Sequence, residues 1–413
     1  MKLTGSALAV LSFITFSLPL CAAPVQTMPD ANSAPIQSGL RVLADRDGLQ
    51  FGTAVRLDKL SPQTDDSLYE KGILANFNMI EPENSFKPRL LWRDKEVYDF
   101  TTTDALLGAP GKTGWAQAHH IAVRAHTLIY GRDGFWLPGW LLSGPDRTVN
   151  KTLEDSLTKA QAADLLHKYI HAVAGRYKGK IAMWDVINET LDDTPNSNPF
   201  SLRDTIWLRK LGPEFVDMAF RWAHEADPHA QLYYNDYGIE GPGRKADAVF
   251  AMVKSMKARG VPITGIGMQW HIGVKRRITP GDGYCQVAQR LKDNGIAFMI
   301  TELDVSMPVV EYPPTDPRFG LTPLHPEDLD RQGEVFGDML RYALHFSNCR
   351  GVNIWGFTDK HNWIPSYSMA LIQSHRGTAQ SGAATLLDAN YQPKPAYRVI
   401  RTLLSKNRRI QNQ

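Results

Sequence analysis

The sequence predicts an α/β protein built as a single (β/α)8 barrel of the TIM type, and three observations predict it. From Phe51 onward, eight short apolar runs alternate with longer helical patterns. The runs are apolar on both faces, as strands are when helices cover them. Polar and aromatic residues gather just past seven of the eight, where a parallel α/β fold places its chemistry. The strand candidates are Phe51–Val55, Phe77–Glu81, Ile121–Tyr130, Ile181–Asn188, Gln231–Asp236, Ile263–Gln269, Ile296–Leu303 and Gly351–Gly356. Helices are expected at Ala160–Tyr177, Glu214–Ala226, Lys245–Arg259, Cys285–Asn294 and Leu329–Phe346. No internal repeat or Ser/Gly linker divides the chain of 413 residues, so residues 41–413 read as one domain.

Before that domain, Lys2, the apolar stretch Ala7–Leu20 and Cys21-Ala22-Ala23 predict a secretory signal peptide over residues 1–23. Leu20 stands where a lipoprotein signal has a small residue, which argues against lipidation. The expected destination is the periplasm or the exterior. Residues 24–40, small, polar and Pro-rich, predict a disordered lead-in. The apolar run is short for a membrane span and none follows it. A net charge of +3 without a basic block gives no reason to expect nucleic acid. Cys285 and Cys349 lack a Cys-x-x-Cys partner or a histidine at ligand spacing and are expected as buried thiols. His119, His120, His126 and His271 show no His-x-x-x-His pattern, so no metal and no cofactor are expected. The protein is expected to be a monomer.

The organising stretch is Ile181–Glu189, an apolar run ending in Asn188 and Glu189, and Ile296–Asp304 repeats the pattern with Glu302. Around them fall Glu81, Glu83, Asn84 and Lys87 after the second strand, His126 on the third, and Asn235, Asp236 and Tyr237 after the fifth. Gln269 and His271 follow the sixth, and Trp355 and Trp363 the eighth. Two carboxyl groups facing across a cleft of amides, imidazoles and indoles suit cleavage of a glycosidic bond. One must carry a proton to the leaving oxygen while the other, ionised, attacks the anomeric carbon or activates water. Amides and imidazoles bind sugar hydroxyls, and indole rings bind the C–H faces.

Trp184-Asp185-Val186-Ile187-Asn188-Glu189 and Ile300-Thr301-Glu302-Leu303-Asp304-Val305 resemble the acid/base and nucleophile motifs of glycoside hydrolase family 10. Further similar segments follow in order: Pro82-Glu83-Asn84 with Lys87, His126-Thr127-Leu128, Tyr234-Asn235-Asp236-Tyr237, Gly267-Met268-Gln269 with His271, and Trp355-Gly356-Phe357-Thr358-Asp359-Lys360. The resemblance implies a retaining endo-β-1,4-xylanase with Glu189 as general acid/base and Glu302 as nucleophile. It implies His271 as the nucleophile's hydrogen-bond partner and Asn188 as the contact to the sugar 2-hydroxyl. Glu83, Asn84, Lys87, Trp355 and Trp363 would form the glycone wall, with His126, Tyr237 and Gln269 completing the set of substrate-binding residues. The implied partner is a polysaccharide or oligosaccharide.

The sequence also departs from that family. After His126-Thr127-Leu128 the family continues Val-Trp-His, whereas here Ile129-Tyr130-Gly131-Arg132-Asp133-Gly134 adds about three residues and puts Gly131 in place of a histidine. Pro88 and Ile364 replace a Trp and an Arg. These changes border the glycone subsites and are expected to enlarge or reshape the subsites nearest the bond, with Arg132-Asp133 as a surface ion pair on a longer loop the competing expectation. They leave open a decorated xylan, a β-glucan or a plant saponin glycoside as substrate. A binding protein without catalysis is the remaining alternative, and retention of both carboxylates argues against it.

Overall fold

The computed structural model describes residues 39–407 apart from 135, 313, 314, 316–319 and 378. The expected signal peptide, residues 1–23, and residues 24–38 of the expected lead-in lie outside the described residues. Eight parallel strands form the barrel: β1 Gln50–Val55, β2 Met79–Pro82, β3 Ala122–Tyr130, β4 Met183–Asn188, β5 Gln231–Asp236, β6 Gly265–Met268, β7 Ala297–Tyr312 and β8 Cys349–Ile354. Each pairs with its successor in sequence, and β8 pairs with β1 to close the ring. All eight match the expected runs to within a few residues, with one exception. β7 extends past the barrel as an antiparallel arm that pairs with Gly320–Pro323 and Ser381–Gly382.

The helices around the ring include α1 Leu40–Arg46, α2 Leu68–Asn76, α3 Thr101–Leu107, α4 Lys159–Arg176, α5 Phe215–Ala226, α6 Arg244–Ala258, α7 Gly283–Asp293, α8 Asp328–His345 and α9 Pro395–Lys406. α1 begins inside the expected lead-in, where Leu40 is fully buried. It packs beside α2 and α9, so the two ends of the described chain close one side of the ring. α4 starts at a capping box in which Thr158 and Gln161 satisfy each other's backbone N–H groups, an arrangement worth about 1 kcal/mol. Its apolar stripe, Leu165, Leu166, Tyr169, Ile170 and Val173, is buried. Cys285 and Cys349 are both buried thiols.

The barrel interior is layered. Met79, Met183, Tyr233 and Met299 form a small apolar layer of their own, separate from the larger core between strands and helices. Two residues further along β2, β4 and β5 the same face presents Glu81, Asp185 and Asn235, so the interior turns polar toward the C-terminal ends of the strands. Among the described residues no helix is long and apolar enough to cross a membrane.

Candidate active site

The site is built on the ends of these strands, and strand irregularities aim its side chains. The ladder of β4 shifts register between Asp185 and Ile187, so Asp185 and Asn188, three residues apart, both face the interior. β7 shifts between Ile300 and Leu303, and the consecutive Thr301 and Glu302 both reach Asn235. Glu189 follows β4 with φ +56° and Trp270 follows β6 with φ +61°, left-handed conformations that cost a side-chain-bearing residue about 1–3 kcal/mol. Gly267 permits the closest approach, because a Cβ there would stand 2.2 Å from Asn235 Oδ1.

Glu189 and Glu302 are joined by a chain of amides. Asn235 Nδ2 donates to Glu302 Oε1 at 2.7 Å and to Asn188 Oδ1 at 2.8 Å. Gln269 Nε2 donates to Glu189 Oε1 at 3.0 Å and reaches the same Asn188 oxygen at 3.4 Å. Asn188 Oδ1 is thus the hub between the carboxyl groups. Its Nδ2 is buried and makes no hydrogen bond to the protein.

Glu302 is held on its other oxygen by His271 Nε2 at 3.1 Å, and His271 Nδ1 meets Asp304 Oδ2 at 2.7 Å. Trp363 Nε1 donates to that same Asp304 oxygen at 3.0 Å. Burial alone would raise the Glu302 pKa, but the His271 hydrogen bond, nearby His126 and the Asn235 amide hold it down at about 2. Burial also works against a charged His271, yet Asp304 and Glu302 on its two nitrogens keep the imidazole well above its ordinary value. The arrangement keeps Glu302 ionised and fixed in direction.

Below the cleft Arg124 is shared by two buried carboxylates, Glu81 with Oε2 3.3 Å from Nε, and Asp185. Burial, with the negative charges of Asp185 and Glu302, pushes Glu81 up despite Arg124. His126 belongs to this floor, buried with Nδ1 on Asp185 Oδ2 at 2.9 Å and its ring edge-on to Trp355 at 5.5 Å. On the wall after β2, Lys87 Nζ bonds Asn84 Oδ1 at 2.9 Å and sits 4.3 Å over the Trp136 ring. Burial pulls Lys87 below its ordinary pKa, opposed by Glu302, Glu83 and Glu189. Glu83 is pushed up by burial, opposed by Lys87 and Arg56.

The loop after β3 corrects the expected enlargement at Gly131 and the expected Arg132–Asp133 pair. A Cβ on Gly131 would stand 2.3 Å from Thr190 Cα and 2.5 Å from the Glu189 carbonyl oxygen. The backbone of the Glu189 turn therefore occupies that space and Gly131 opens no gap. Arg132 and Asp133 are not paired with each other. Asp133 accepts from the Ile206 backbone N–H at the start of the short helix Ile206–Leu211 and pairs with Arg209 at 2.8 Å. Arg132 turns into the site, with Nε 3.2 Å from Glu189 Oε2 and a hydrogen bond to the Tyr237 hydroxyl. That hydroxyl also bonds Asp193 at 2.5 Å and Arg203 at 3.1 Å, while Lys245 covers the ring at 3.7 Å. Tyr237 reaches the rim of the cleft with its hydroxyl committed to protein partners.

The structure thus brings Glu189, Glu302, Asn188, Gln269, His271 and Trp363 into one bonded cluster, with Lys87 and His126 electrostatically tied to it. Asn235 and Asp304, which stand at expected strand ends but carry no expected role, and Arg132, expected in a surface ion pair, join it. The signal for Asn235 was the two-residue alternation of β5, which puts Tyr233, Asn235 and Tyr237 on one face. The metal expectation weighed four histidines and passed over His167 and His171, which do have His-x-x-x-His spacing but lie on α4 outside the cleft.

With this geometry in place, comparison with known proteins is specific. The model of glycosyl hydrolase family 10 matches residues 39–403. Endo-1,4-beta-xylanase B of Thermotoga neapolitana is 30% identical over 370 residues, covering 89% of this chain and 92% of that protein. Beta-1,4-xylanase of Dictyoglomus thermophilum is 32% identical over 331 residues, covering 80% and 82%. The crystal structure of xylanase 10B from Thermotoga petrophila RKU-1 in complex with xylobiose superposes with a TM-score of 0.74 at 29% identity, covering 91% of this chain and 99% of that one.

Proposed function

Because the chain belongs to glycosyl hydrolase family 10 and is a glycoside hydrolase, we propose that it cleaves internal β-1,4-xylosidic bonds of xylan by double displacement. In the first step the Glu302 carboxylate bonds to the anomeric carbon as the glycosidic C–O bond breaks, and Glu189 gives its proton to the leaving oxygen. In the second, water attacks that carbon, its proton passes to Glu189, and Glu302 is released as the carboxylate. Asn188 Nδ2 bonds the sugar 2-hydroxyl beside the reacting carbon, a contact that strengthens as positive charge develops. Glu83, Asn84, Lys87, Trp355 and Trp363 bind the glycone; Gln269 orients Glu189, and His271 with Asn235 orients Glu302.

The observation that carries the reading is the amide chain Gln269–Asn188–Asn235 between the two carboxyl groups. It ties them to one reaction centre and gives them different surroundings. The names of the relatives, and the xylobiose bound to the Thermotoga petrophila xylanase, support xylan as the substrate class. Proton NMR of xylohexaose digestion tests it. The β-anomer of shorter xylo-oligosaccharides is expected to appear first, and initial formation of the α-anomer would rule out double displacement.

A second reading concerns decoration. Arg132 sets a guanidinium against the acid/base, and this favours xylan carrying acidic substituents over plain xylan. Initial rates on glucuronoxylan and unsubstituted xylan decide between them. We further infer export through residues 1–23. A mature N-terminus near Pro24 supports that, and an intact Met1 on active protein recovered from the native host would overturn it.

A further inference from the structure

The outer wall of the barrel carries a second group of side chains that no step of hydrolysis uses. His167 and His171 stand one turn apart on α4, where it packs beside α5. Their rings lie with centroids 4.2 Å apart, and Trp222 of α5 meets His167 edge-on at 5.1 Å. Glu225, in the last turn of α5, brings Oε2 to 3.6 Å from His171 Nε2. One ligand atom from each of the three residues lies within 4.8 Å of the other two.

The His171 nitrogen is the informative atom. Nε2 is shielded from solvent and makes no hydrogen bond, although a carboxylate faces it. A gap of 3.6 Å is too long for a hydrogen bond. It is close to the separation of about 3.4 Å between two ligand atoms that each sit about 2.1 Å from a tetrahedral ion. Glu225 is 64% exposed and the His171 side chain 31%, so a fourth position can be filled by water. Two imidazoles and one carboxylate suit zinc and its neighbours, whereas calcium and magnesium require mostly oxygen ligands. The other grouping of potential ligands among the described residues, Glu81, His126 and Asp185, already has Arg124 as its cation.

We propose that His167, His171 and Glu225 form a binding site for a divalent transition metal of the zinc class, which ties α4 to α5. Both helices run antiparallel to the strands they feed; His167 sits at the middle of α4, and His171 and Glu225 lie in the C-terminal halves of their helices. The site therefore lies toward the end of the barrel opposite the cleft. A metal there clamps the crossovers that lead into β4 and β5, the strands that end in Asn188 and Asn235.

The test is titration of untagged, chelator-treated full-length protein with zinc chloride by calorimetry, alongside the His167→Gln and His171→Ala variants. One site per chain is expected, weakened at least tenfold in either variant. A melting temperature raised by about 2–4 °C at saturating zinc is expected in the parent alone. Cobalt(II) in place of zinc is expected to give tetrahedral visible absorption that both variants lose. Unchanged zinc affinity in both variants, no binding by the parent, or equal binding of calcium would overturn the proposal. If His171→Ala does not fold, His167→Gln carries the comparison. None of these readouts depends on turnover, so they stand or fall separately from the xylanase reading.

Discussion

The two carboxyl groups of the cleft are held in opposite ways. Glu302 is buried and bonded on both oxygens, at the end of a relay through His271 and Asp304 to Trp363. Glu189 is partly exposed on a left-handed backbone, with Gln269 on one oxygen and the Arg132 guanidinium against the other. A nucleophile must stay ionised and attack along one line, so rigid partners serve it. A group that gives and retakes a proton must pass between charged and neutral forms, and a fixed partner on every lone pair would oppose one of them. The difference in surroundings thus matches a division of labour between two residues of the same type.

The largest expected effect tests the rigid side. Glu302→Gln is expected to reduce kcat on xylan by roughly 10^5-fold or more, the scale on which losing a nucleophile acts. Full turnover by this variant would remove double displacement. Glu189→Ala should cost roughly 10²–10⁴-fold on xylan, because protonation of a poor leaving group is lost. On an aryl xyloside with an acidic phenol the loss in the first step should nearly vanish. Equal losses on both substrates would mean that the roles of the two sides are wrongly divided.

The contrast has a pH signature. Glu302 is depressed to about 2, so its contribution to stability is fully present above the ordinary carboxyl value and is lost progressively as pH falls from there through about 2. His271 is raised, so its contribution is complete below the ordinary imidazole value and is lost as pH rises through its elevated one. His271→Ala removes the first-named support of the ionised Glu302. It should lower kcat/KM about 10–100-fold, the worth of one hydrogen bond to a charged group, and move the acid limb of the kcat/KM profile upward. A lower rate with an unmoved acid limb would leave His271 as a packing residue.

The same contrast explains what could be read from the chain. The eight strands were legible because a run buried on both faces leaves a continuous apolar signature, and Glu302 and Asn188 were legible as its polar ends. Asn235 lay in plain view beside Asp236 and Tyr237, but choosing among three adjacent polar residues needs the strand's facing, which the register of its neighbours sets. The paired inward facing of Asp185 and Asn188, and of Thr301 and Glu302, depends on bulges that leave no compositional mark. The departure at Gly131 was visible, yet its meaning was inverted. A missing side chain suggested a wider site, whereas the Glu189 turn packs against the glycine and the next residue reaches Glu189.

Arg132→Ala gives the smallest expected effect and the sharpest test of the Glu189 side. The Arg132 side chain is 37% exposed and shared among Glu189, Tyr237 and Asp193, so none of these contacts should contribute more than about 1 kcal/mol to stability. On unsubstituted xylan the rate should therefore change by no more than about fivefold, the equivalent of that energy. On a substrate with an acidic substituent near the leaving group, the parent can exchange its contact with Glu189 for one with the substrate, and the variant cannot. The ratio of kcat/KM on glucuronoxylan to that on plain xylan should fall several-fold, mostly through KM, with the effect weakening as salt is raised. An unchanged ratio would confine Arg132 to holding the loop after β3 against Tyr237, and the Glu189 side would then select its substrate by shape alone.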